Sequence, residues 1–281
     1  MRRGGSRKAT QRRVRAAVLY GLLILILLGA PQRILHFLRA REYVVFGVDF
    51  GTLLQIPDAK APLYYAAGEV RFEVPPYEGE PFTQINGGVP FFSEAEMTTD
   101  FFEEYSDLDA LGRCGAAKAC LHRSRMPSDP REEIRDVRPT GFFNREYDFL
   151  GTQQTSFLSP AGSAQSYTGK WLYNRCHLIA YQLTGQNANE KNLITGTQYM
   201  NLEGMFPFER RVIDYLSDTR DHVMYRVTPV FRGDDLVAAG VLMEARSVED
   251  EGRGLCFNVF CHNVQPGVVI DYRTGESRAT Q

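Results

Sequence analysis

The chain has 281 residues, 43% hydrophobic and 12% aromatic, enough for one good-sized core and a small accessory element but too few for several domains. Its formal net charge is −2, yet seven basic residues crowd the first fifteen positions, and the 25 Lys and Arg that remain face 34 Asp and Glu, a balance of about −9. Binding to nucleic acid through bulk charge is therefore excluded, and affinity for phosphate would have to come from a local basic patch or a bound cation.

Behind the basic run (Arg2, Arg3, Arg7, Lys8, Arg12, Arg13, Arg15) comes AAVLYGLLILILLGA, Ala16 to Ala30, without a charge. This is the layout of an uncleaved anchor or a signal peptide. Gly29 and Ala30 are small, but Pro31 follows and there is no A-x-A pattern, so the anchor is the expectation. Fifteen residues make a helix of only about 22 Å, so a full crossing recruits Ile34, Leu35, Phe37 and Leu38 while Arg33 snorkels. In either reading the basic end stays cytoplasmic and the rest is exported: a single-pass membrane protein, or a secreted one if the segment is cut. The expected organisation is a basic tail over 1–15, a membrane segment over 16–38, a stem over 39–67, a folded domain over 68–275 and a tail over 276–281.

An exported domain can carry disulfides. Cys114 and Cys120, in RCGAAKAC, are close enough for a short loop bridge. Cys256 and Cys261 are five apart in a strand-like stretch, so they point to opposite faces. A zinc site from Cys256, Cys261, His262 and Cys176 would lack a tight C-x-x-C pair.

Along the domain, Gly68 to Phe92 alternates short apolar runs with Pro and Gly, which predicts edge strands joined by turns. The stretch MPSDPREEIRDVRPTGF reads as an irregular connection in which arginines cluster. Trp171 to Glu209 reads as a strand ending in a histidine, an Asn-rich excursion, a second strand NLITGTQYM, then an asparagine and a helix bearing a glutamate. The helix, PFERRVIDYLSD, has Phe208, Val212, Ile213, Tyr215 and Leu216 at helical spacing and Pro207 where a first turn tolerates it. YRVTPVF, LVAAGVLMEARSV and LCFNVFCHNV predict three strands separated by RGDD and EDEGRG turns. The fold class expected is α+β on an antiparallel sheet.

Within Trp171 to Glu209, the order Asn174-Arg175-Cys176-His177, then Asn201, then Glu209, resembles the DNA/RNA non-specific endonucleases with a ββα-metal (His-Me finger) core, among them membrane-bound DNA-entry nucleases. Their usual signature is D-R-G-H, then an Asn near the start of the core helix and a Glu about eight residues later. Asn174 stands here for Asp and Cys176 for Gly. The resemblance spans about Gly68 to Asp271. It implies a nuclease acting on DNA and RNA, with His177 as general base, Asn201 holding one Mg²⁺ (Mn²⁺ as a substitute), Glu209 orienting water around that ion, and Arg175 at the phosphate. It also implies an upstream arginine for the transition state, for which Arg123, Arg125 and Arg131 compete, with Arg138 behind them.

The chemistry explains these residue types. A neutral imidazole takes a proton from water near physiological pH better than an unperturbed carboxylate. A hard divalent cation prefers oxygen ligands and keeps several waters, so one amide oxygen can anchor it. Asn187, Asn189 and Asn192 are rivals for Asn201, although asparagine is common in polar loops for its turn geometry. His36, His122, His222 and His262 lack such context and read as structural or surface residues. Two other functions compete with nuclease: a membrane-tethered protein that binds nucleic acid without cutting it, and a zinc-stabilised surface domain.

Overall fold

The structure, a computed structural model, describes residues 73–147 and 171–280 and, outside these, the backbone of a few short paired strands. The chain divides into two units, Met1–Ala61 and Pro62–Gln281, and all that follows concerns the second. The basic tail, the expected membrane segment and most of the stem lie outside the described residues. Among the described residues no helix is long and apolar enough to cross a membrane.

The core is a six-stranded antiparallel sheet. Its strands are β1 (Phe82–Gln84), β2 (Phe102–Tyr105), β3 (Ala117–Leu121), β6 (Val223–Val230), β7 (Gly240–Ser247) and β8 (Cys256–His262), in spatial order β1-β8-β7-β6-β3-β2. The three predicted C-terminal strands are present, joined through the RGDD and EDEGRG turns. A separate hairpin, β4 (Tyr173–His177) with β5 (Leu193–Thr197), encloses a one-turn helix α1 (Tyr181–Thr184) and leads into helix α2 (Phe206–Asp218). A small pair, β9 (Val268–Ile270) with β10 (Ser277–Ala279), follows.

Alternation along the central strands sorts two faces. Tyr225, Val227, Val241, Met243, Ala245, Phe257 and Val259 face one way and pack with Cys176, Met200, Met205, Phe208, Val212 and Leu216 of the β4-β5-α2 unit. Phe208, Val212 and Leu216 recur every four residues, and their burial contributes roughly 1.5–3 kcal/mol each. On the other face, under the chain from Phe91 to Met97, lies a row of charge. Arg226 donates two hydrogen bonds to the fully buried Glu244, Nε to Oε2 at 2.7 Å and Nη2 to Oε1 at 3.1 Å. Lys118 and Arg226 both reach Glu96, whose carboxyl falls to about 2 because main-chain and side-chain donors outweigh its burial.

Three expectations need correction. All five cysteines are free thiols: Cys114 donates to the carbonyls of Glu190 and Leu193, while Cys120 sits in β3 and donates to Thr98. The second strand stops at Thr197, because the chain already turns helical at Gln198. Of the edge strands expected over Gly68 to Phe92, only Val70–Glu73 and Phe82–Gln84 form, and only the latter joins the main sheet. The other cysteine expectation holds: Cys256 is half-buried and Cys261 fully buried on the opposite face.

Candidate active site

A cleft of about 920 Å³ runs over one face of β4. Trp171, Tyr173, Arg175 and His177 line it, as alternation requires, together with Asn174. Leu172 and Cys176 go the other way into the interior. Asn201 and Glu209 line it from the helical side, and Arg131 and Arg135 from the irregular connection. Three arginines against one glutamate make this a local positive basin on an acidic chain.

His177 is buried at the end of β4. Its Nε2 lies 2.9 Å from the carbonyl oxygen of Asn187, which only accepts, so Nε2 carries the proton. Its Nδ1 lies 3.4 Å from Nη2 of Arg131, which only donates, so Nδ1 holds a lone pair. The two partners select the same tautomer from opposite sides. Burial, reinforced by the charge of Arg131, pushes the imidazole down to about 4, so it is neutral at physiological pH. The Asn187 carbonyl is delivered by a reversal after α1, where Gly185 adopts φ 74° and its N–H closes on Tyr181. That left-handed conformation strains any residue with a Cβ.

Asn201 opens an unusual turn. Met200–Met205 is π-helical, and the N–H of Phe206 reaches back to the Asn201 carbonyl. Pro207 accounts for it: its ring has no N–H and collides with the carbonyl of Glu203 in regular α geometry, so the preceding turn widens. Glu209, two turns on, is half-buried, and burial pushes its carboxyl up to about 8 against the pull of Arg131.

Of the competing arginines, the structure brings Arg131 to the histidine. Arg123 is spent on the carbonyl of Ser217 and Arg125 stacks 4.5 Å over Phe101. The Arg131 segment is clamped at both ends. The Tyr181 hydroxyl donates to the carbonyls of Asp129 and Pro130 at 3.0 and 3.4 Å. Arg175 donates to those of Val137 and Arg135 and lays its guanidinium 4.4 Å over Phe142. Arg175 thus lines the cleft with Nε and Nη2 committed to main chain. Sequence reasoning had no means of finding the clamp, nor Asn144, whose amide brackets the main chain of Tyr173.

The rival asparagines have other work. Asn192 is buried with its amide closed on the main chain of Ile179, and Asn189 caps the turn at Lys191. Asn187 supplies the carbonyl to His177 and does not line the cleft. Cys176, where glycine is usual, fits because its partner strand is hollowed out: a Cβ on Gly196 would come within 2.3 Å of its Sγ.

As a metal site the cleft offers an amide oxygen from Asn201 and a carboxylate from Glu209, while its thiol, Cys176, points into the core. No group of three or more His, Cys, Asp or Glu side chains that could hold a metal occurs among the described residues. That donor set fits a hard cation that keeps most of its water and does not fit a zinc cage of protein ligands.

Residues 150–249 match the family model of the DNA/RNA non-specific endonucleases. A deoxyribonuclease from Streptococcus dysgalactiae subsp. equisimilis is 34% identical over 109 residues, which is 37% of this chain and 32% of that protein. The chain thus matches about a third of the length of this curated relative. Among solved structures, NucA from Streptococcus agalactiae with a magnesium ion bound aligns at TM-score 0.57 and 23% identity, over 72% of this chain and 91% of its own. The Sda1 nuclease with a bound zinc ion aligns at TM-score 0.56 and 22% identity, over 72% and 98%. These structures share the fold of this chain.

Proposed function

We propose that this chain, whose residues 150–249 match the family model of the DNA/RNA non-specific endonucleases, is a metal-dependent endonuclease that hydrolyses phosphodiester bonds of DNA and RNA. The observation that carries this reading is the state of His177: neutral, its Nδ1 lone pair set at the cleft and its proton held on Nε2 by Asn187.

Nδ1 takes the proton of the attacking water, and the Asn187 carbonyl steadies the imidazolium that forms. Arg131, beside that nitrogen, exchanges its contact with the histidine for the phosphate and neutralises the charge that grows in the transition state. Asn201 would hold the cation, with Glu209 orienting the water around it. The chemistry a bound Mg²⁺ would supply there is neutralisation of charge on the phosphate and the departing oxygen. Arg175 and Tyr181 act through the segment they clamp. Half-buried beside these groups, Glu209 has its carboxyl pushed up to about 8, and a cation nearby would favour its ionised form. The basic, then apolar N-terminus supports a membrane-anchored enzyme with its catalytic domain exported.

The test is incubation of the purified full chain with plasmid DNA and with RNA, in Mg²⁺ or EDTA, beside His177→Ala and Asn201→Ala. Cleavage of both substrates in Mg²⁺, abolished by EDTA and by His177→Ala, is expected. Asn201→Ala is expected to need much more Mg²⁺ for half-maximal rate. Full activity in His177→Ala removes the assigned base, and binding without any cleavage by the wild type overturns the reading.

A further inference from the structure

Trp171 is the one tryptophan of the chain. It lines the cleft with half of its surface in solvent, although its backbone is held firmly: it bridges to Glu146, and the next N–H donates to Arg145 at 2.9 Å. A large flat side chain on a fixed backbone, half-exposed in a cleft that also presents Arg131, Arg135 and Arg175, leaves aromatic surface open to a ligand. Trp171 lines the same cleft as Tyr173, Arg175 and His177 of β4 but lies before the strand, beyond a bend at Leu172, at the opposite end of β4 from the histidine. The cleft between them carries the positive charge.

We propose that Trp171 is a base-stacking subsite, through which the cleft takes single-stranded nucleic acid in preference to duplex. This rests on the nuclease reading and names its substrate. Every base has a π face, so stacking on an indole is indifferent to sequence, while guanidinium groups further along neutralise the backbone. In a duplex both faces of each base are already covered by neighbours. Only an unpaired nucleotide can lie on the ring, with its strand running along β4 past Arg175 to Arg131 and His177.

With a single tryptophan, emission excited at the red edge of the band, where tyrosine does not absorb, reports on this residue alone. The experiment follows that emission, and the anisotropy of a labelled twelve-nucleotide single strand or blunt duplex, in EDTA and again with Mg²⁺ on a His177→Ala background. The single strand is expected to quench emission and the duplex to leave it nearly unchanged. Trp171→Leu, apolar but without a π face, is expected to weaken single-strand binding roughly tenfold or more, to raise KM for single strands with little change in kcat, and to leave duplex affinity within about twofold. Trp171→Phe is expected to retain most of the affinity, which a merely space-filling role would not require. Single-strand binding with unchanged emission, or equal affinity in Trp171→Leu, overturns the stacking site. If both substrates are still cut in Mg²⁺, the nuclease reading survives that loss. Quenching by single strands with no cleavage by the wild type supports the subsite and overturns the nuclease reading, and absence of binding in every arm overturns both.

Discussion

At the scale of single residues, the tautomer of His177 is decided by one group ten residues on, in the same hairpin, and one forty-six residues back. Asn187 can only accept from Nε2 and Arg131 can only donate to Nδ1. A pH profile follows. Burial and Arg131 hold the imidazole at about 4, below the ordinary value of roughly 6.5, and the base proposed for it works only when neutral. The rate at saturating Mg²⁺ is therefore expected to be sustained through pH 5 and to fall as pH drops through about 4. Arg131→Gln removes a positive neighbour, so the acid limb should move upward by about one pH unit, while the plateau falls roughly a hundredfold with the loss of a phosphate donor. An unmoved limb would mean that Arg131 does not face the histidine in solution. His177, Asn201 and Glu209 were all legible as candidates from residue type and order. Arg131 was not separable from Arg123 and Arg125, because three arginines in one irregular segment look alike until partners are assigned.

Elements show how local chemistry builds the site. The widened turn at Met200–Met205 puts Asn201 at the cleft because Pro207 forbids a regular one. The hairpin depends on one hollow. Gly196→Ala would drive a methyl into Cys176 and Met200 and is expected to cost about 1–3 kcal/mol by urea unfolding; Gly196→Ala with Cys176→Gly should recover part of that, since the clash with Cys176 disappears and only the flexible end of Met200 must give. Additive losses in the double variant would place the strain elsewhere. Tyr181→Phe tests the clamp on the Arg131 segment. Activity is expected to fall about tenfold through kcat, with stability changed by about 1 kcal/mol or less for one exposed hydrogen bond. An unchanged kcat would free Arg131 from that clamp. The helix Phe206–Asp218 and the three C-terminal strands were readable in the sequence, where hydrophobic period matches element type. The end of β5 was not, since NLITGTQYM is equally apolar on both sides of the point where strand becomes helix.

Across the whole molecule, charge is arranged rather than summed. A chain with net charge −2 gathers three arginines around one cleft and buries another on the far side of the sheet. There Arg226 and Glu244 lie directly opposite on neighbouring strands and hold each other at 2.7 Å. Arg226→Leu leaves a fully buried carboxylate unpaired and is expected to destabilise the fold by about 3–5 kcal/mol, read as a lower urea midpoint; the double variant Arg226→Leu with Glu244→Leu should recover most of it. Equal losses in both would show that the surrounding packing, and not the unpaired charge, carries the effect.

Periodicity, turn residues and the order of a few polar side chains were enough to read an α+β chain on an antiparallel sheet, with a histidine, an asparagine and a glutamate in sequence on a strand and a helix. These are local properties, written within a few residues of where they act. The tertiary structure alone decided that the cysteines stay apart, that Arg131 is the arginine beside His177, that Asn187 gives a carbonyl where its amide was the rival ligand, and that Trp171 stands half-exposed in the cleft. Each depends on which segments the fold brings within about 3 to 5 Å of one another and which it keeps apart, a range at which hydrogen bonds and ring contacts operate and which no spacing along the chain encodes.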